Sequence, residues 1–79
     1  MNKLKLKEFN GEHVIYVYYP NGSENTGEII YLFSTKEVSN LKRSIDDDTG
    51  YFSNKAENKV KELVEVKRYL PFEITQAWY

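Results

Sequence analysis

The chain reads as a small α+β protein: a small antiparallel sheet, built from a three-stranded meander plus a C-terminal strand, packed with two helices in the order β-β-β-α-α-β. Three observations predict this. Residues 3–9 alternate, with Leu4 and Leu6 on one side and Lys3, Lys5 and Lys7 on the other, the period-two pattern of a half-buried strand. Residues 13–19 and 28–33 are β-branched and aromatic, and turn-forming residues separate them. Between residues 53 and 69, Ala56, Val60, Leu63 and Val64 recur at helical spacing, and Leu70 continues the stripe.

Asn10-Gly11 joins the first two segments. It predicts a two-residue type I′ hairpin turn, which needs φ > 0 at both central residues. Residues 20–27, PNGSENTG, form a loop by their turn chemistry. Strands two and three are apolar on both faces. One face carries Ile15, Val17, Ile30 and Leu32; the other carries Val14, Tyr16, Tyr18, Ile29, Tyr31 and Phe33. The expectation is that the helices cover the Ile15/Val17 face.

Ser34 to Glu37 has the spacing of a capping box, and Val38, Leu41 and Ile45 follow at helical intervals. This predicts a first helix over 35–45. Asp46, Asp47 and Asp48 would end it, since carboxylates are unfavourable at the negative end of a helix dipole, and Thr49-Gly50 completes the break. A second helix is expected over 53–69, capped by Ser53 or Asn54, with a supporting Glu57–Lys61 pair and the stem of Lys67 laid along its stripe. Pro71 stops it. Residues 72–78 alternate again, with Phe72, Ile74 and Trp78 on one side, and read as a last strand that rejoins the sheet. Trp78 reads as a core plug at the chain end, with a partner anchor as the alternative.

The 79 residues make one domain, residues 1–79. A chain of this size buries only about 60–65% of its unfolded surface, so a deep substrate pocket competes with the core for the same side chains. There is no cysteine, which removes disulfides and zinc-thiolate sites. Eleven basic residues against twelve acidic ones leave a net charge of −1, unlike the strongly basic domains that bind duplex DNA. No apolar run approaches the roughly 18 residues of a membrane span, and the alternating N-terminus lacks a signal peptide's continuous apolar stretch. The chain is therefore expected to be cytoplasmic and to have no membrane partner. Its Lys-, Asn- and Tyr-rich composition, with little Arg, suggests a low-GC bacterium, a phage or a plasmid as source.

Nothing in the sequence assembles a catalytic centre, so a non-enzymatic protein is expected. The single histidine, His13, starts a strand and has no positioned partner nearby in sequence. The glycines are isolated in turns rather than forming a phosphate loop. From Asp46, Glu57 falls at position 12 of a calcium-loop pattern, but Tyr51 takes the place of the required glycine. No metal or cofactor is expected, beyond opportunistic cation contact at Asp46–Asp48.

The candidate binding surface is the aromatic sheet face: Tyr16, Tyr18, Tyr31 and Phe33, flanked by Lys3, Lys5 and Lys7 if Leu4 and Leu6 pack with Ile15 and Val17. Tyrosine is enriched at protein interfaces. The expected partner is therefore another protein, and the expected role is that of a phage- or mobile-element-type inhibitor or regulator. The alternative on the same face is single-stranded nucleic acid, whose bases stack on rings while cations follow the phosphates. A homodimer seam or a second packed layer would instead consume the face.

Overall fold

A computed structural model describes residues 1–77; the readings placed on Trp78 and Tyr79 lie outside them. The protein is a small α+β fold. Among the described residues the strands are β1 (Asn2–Phe9), β2 (His13–Pro20), β3 (Gly27–Leu32), β4 (Glu37–Lys42) and β5 (Glu73–Gln76). They form one antiparallel sheet of order β4-β3-β2-β1-β5. One α-helix, α1 (Tyr51–Glu62), runs on into a π-helical segment, Leu63–Lys67. No helix among the described residues is long and apolar enough to cross a membrane.

The meander has four strands rather than three, because the expected first helix is a hairpin. Residues 33–36 turn the chain, Lys36 adopts φ 57°, and its amide donates to the Leu32 carbonyl at 2.9 Å. β4 then pairs with β3, with Val38 opposite Tyr31 and on the core side. Of the three apolar residues that suggested a helix, only Val38 reaches the core; Leu41 and Ile45 are exposed. A short apolar pattern fits either period, and pairing with β3 decided it.

The aspartates precede a helix instead of ending one. Gly50 occupies the N-cap position with φ 78° and caps nothing by side chain. Asp47 does that work from outside: its carboxylate accepts from the Phe52 and Ser53 amides at 3.0 and 2.9 Å. It also accepts from the Tyr18 hydroxyl at 3.1 Å. Burial pushes its pKa up, but these donors outweigh burial and hold the carboxyl below its ordinary range. Negative charge is favourable at this end of the dipole. The expected Glu57–Lys61 pair is replaced by Lys59–Glu62 at 3.0 Å, and Lys67 is exposed.

The helix lies on the tyrosine face, not on the Ile15/Val17 face. Leu4, Val14, Tyr16, Tyr18, Ile29 and Tyr31 pack with Ala56, Val60 and Leu63 to form the core. The register of β1 explains the difference. A two-residue turn at Asn10-Gly11 would set Leu6 opposite Ile15. Instead Phe9 pairs with Val14 across a longer loop, in which Asn10 Oδ1 accepts from the Glu12 and His13 amides, and Gly11 does not have positive φ. That loop moves the pairing by two residues and keeps the face; the bulge at Lys7 adds the odd residue that reverses it, so Leu4 lies opposite Tyr18 and Leu6 opposite Tyr16. A slip of one residue moves every side chain of a strand to the other face.

Candidate functional site: an apolar cleft with a cationic rim

The sequence-predicted site does not assemble. Tyr16 and Tyr18 are fully buried and Tyr31 is 2% exposed, so of the four rings only Phe33 keeps appreciable exposure. Each hydroxyl is tied to a different segment beyond the meander. Tyr16 donates to the Pro71 carbonyl at 2.7 Å, Tyr18 to Asp47, and Tyr31 to Glu65 at 2.7 Å. Burial, reinforced by Tyr69, pushes the Tyr16 phenol up to about 12. The Glu65 hydrogen bond, reinforced by burial, does the same for Tyr31. Tyrosine is used here as a core residue whose polar tip is satisfied.

Lys3 and Lys5 lie opposite Tyr19 and Val17, on the uncovered face. This face is closed over by its own side chains. Lys7 reaches Glu28 at 2.9 Å across β2, Lys5 approaches Glu73 at 3.7 Å, and the Lys5 ammonium sits 5.3 Å from the Tyr19 ring centre. The lysine stems shield what lies beneath, and Ile15 is only 7% exposed although no element covers it.

An apolar cleft lies elsewhere, where β1, the β3–β4 turn and the chain after α1 converge. Leu6, Phe9, Phe33, Val64, Arg68, Tyr69 and Leu70 line a cleft of about 400 Å³, at the small end of ligand-sized pockets. A second concavity of about 420 Å³ adjoins it through the shared residues Phe33, Val64 and Arg68, and adds Tyr31, Lys36 and Glu65. Rings build the floor: Phe33 meets Tyr31 edge-on at 5.6 Å and Phe9 at 6.3 Å. The rim is unusually apolar for solvent contact, with Phe9 59% and Tyr69 68% exposed. Phe72, also exposed, follows directly, its carbonyl accepting from the Leu6 amide at 2.8 Å.

The cleft is therefore an apolar slot opening beside a polar compartment with two cations and one carboxylate. Of the predicted site residues, Phe33 lines both parts and Tyr31 the polar part. Phe9, Lys36, Arg68, Tyr69 and Leu70 were missed. A signal was available in aromatics that closely follow a helix end, Tyr69 and Phe72, on either side of the helix-stopping Pro71.

His13 contacts Glu8 at the β1–β2 hairpin and lines none of the cleft. No cluster among the described residues offers three metal-ligating side chains. Asp46 is engaged by Ser23 and by the Asn25 amide group, which hold its carboxyl below the ordinary range. Compared with protein-family models, curated proteins and solved structures, the chain matches none.

Proposed function

We propose that this chain is a small non-enzymatic protein-binding module, an inhibitor or regulator acting in the cytoplasm of a bacterium or on behalf of a phage or mobile element. It engages its partner at the end cleft rather than on the aromatic sheet face. One observation carries this reading: exposed Phe9 and Tyr69 line a preformed apolar slot, and exposed Phe72 follows close in the chain. A contiguous exposed apolar patch on a small chain marks an interaction surface, and aromatic anchors dominate such contacts.

The test is site-specific photo-crosslinking in cells of the source organism. A crosslinker replacing Tyr69 or Phe72 should trap the same protein. One replacing Ile45, more exposed than either but lining a different concavity, should not. Equal trapping from all three positions, or none from the cleft, rejects the reading.

Single-stranded nucleic acid is the second reading. Met1, Lys3, Lys5, Tyr19, Gly22 and Thr75 line a concavity of about 450 Å³ on the uncovered face, which offers two ammonium groups beside one ring. Binding there would weaken steeply with salt through counterion release. Binding of an apolar anchor at the end cleft would respond far less.

A further inference from the structure

Among the described residues, the non-glycine residues with positive φ are Asn21, Lys36 and Arg68, at 51°, 57° and 54°. Asn21 is ordinary, because asparagine tolerates this conformation. The other two are not. Lys36 closes the β3–β4 turn and Arg68 ends the π-helical segment. Both are positions where glycine or asparagine is the preferred residue. The two elements are remote in sequence, yet these two residues line the same polar compartment. Neither forms an ion pair among the described residues. The carboxylate that shares the compartment, Glu65, accepts from Tyr31. Two long cationic side chains thus stand at strained backbone positions, unpaired, at the mouth of an apolar slot. Strain of this kind persists where the side chain serves something other than the fold.

We infer that Lys36 and Arg68 form a carboxylate clamp, and that the cleft takes a partner-protein segment presenting a bulky apolar side chain beside an acidic one. This rests on the protein-binding reading and adds the chemistry of the occupant. The ring enters the slot between Phe9, Phe33 and Leu70. The adjacent carboxylate then lies over the polar compartment, where the Arg68 guanidinium offers a two-pronged donor and Lys36 a point charge.

The inference separates stability from binding. Glycine at either position relieves the backbone, so Lys36→Gly and Arg68→Gly should each raise Tm by a few degrees. The same changes should weaken binding of a fluorescein-labelled, end-blocked peptide, Gly-Ser-Asp-Phe-Glu-Gly-Ser, by about three- to fivefold each and roughly tenfold together. The same peptide with lysines in place of its acids should bind the wild type at least tenfold more weakly. Decanoate should compete poorly with the acidic peptide, and sedimentation should show no self-association.

Opposite results overturn the clamp: equal binding of the two peptides, no binding of either, unchanged affinity in the double variant, or a fall in Tm. Tighter binding of decanoate would make the occupant a free amphiphile. Dimerisation that blocks the peptide would make it a second copy of this chain. If these results go against the clamp while crosslinking from positions 69 and 72 persists, the protein-binding reading stands without it.

Discussion

The two faces of the sheet have similar apolar content and opposite fates. Beneath α1, Tyr16, Tyr18 and Tyr31 are buried with their hydroxyls tied to Pro71, Asp47 and Glu65. On the other side Ile15, Val17 and Ile30 carry no hydroxyl, no helix covers them, and lysine stems with Lys–Glu pairs shield them. The covered face keeps its three hydroxyls satisfied inside the fold, whereas on the open face Tyr19 lies beside the Lys5 ammonium. A buried tyrosine hydroxyl needs a partner, and the segments around α1 supply one for each ring; a β-branched residue needs none and tolerates a wet, charged roof. Amount of apolar surface is thus a poor guide to which face is covered. The placement of hydrogen-bond partners is a better one.

The largest expected effect breaks the covered face at its tightest point. A Cβ on Gly27 would lie 2.3 Å from the Tyr18 ring. Gly27→Ala should therefore displace Tyr18 from Asp47 and cost about 3 kcal/mol or more in urea unfolding, the scale of strong overpacking. A loss below about 1 kcal/mol would mean that the ring is not fixed against β3.

Alkaline titration sharpens the contrast next. The Tyr16 and Tyr31 phenols are raised from 10.0 to about 12 in the folded protein. A raised phenol keeps its proton more tightly when folded, so its contribution to stability is complete below pH 10 and is lost as pH rises toward 12. Phenolate absorbance of Tyr16 and Tyr31 should appear only as the fold opens, at the same pH as loss of the helical signal. Ionisation of Tyr16 and Tyr31 near pH 10, with the fold intact, would contradict burial of this face.

The smallest effect is expected on the open face. Val17→Thr adds a hydroxyl where water and lysine ammonium groups can satisfy it, so its unfolding free energy should change by no more than about 0.5 kcal/mol. A loss of more than about 2 kcal/mol would show that this face is buried in solution, against a second copy or another cover.

Much of the fold was legible along the chain. The alternation in β1, the β-branched and aromatic runs of β2 and β3, the stripe through Ala56, Val60 and Leu63, and the return of the chain as β5 all follow from local periodicity. Even the three-aspartate run was read as a helix boundary, although it faces the opposite end of the dipole. The end cleft was not legible, because Phe9, Phe33, Lys36 and Arg68 come from segments that meet only once β5 has crossed to the far edge and paired with β1.

The sequence by itself determined the class, α+β, and the identity of most elements, because a period of two or of 3.6 is a property of neighbouring residues. Tertiary structure decided that residues 37–42 form β4, that the tyrosines face α1, and that two cations share one compartment. For β1 the reason is physical: the longer loop at Asn10 moves the pairing by two residues and keeps the face, while the single bulged residue at Lys7 reverses it. The cost of such a slip is settled by which polar tips find partners across the whole fold, not by any stretch of chain alone.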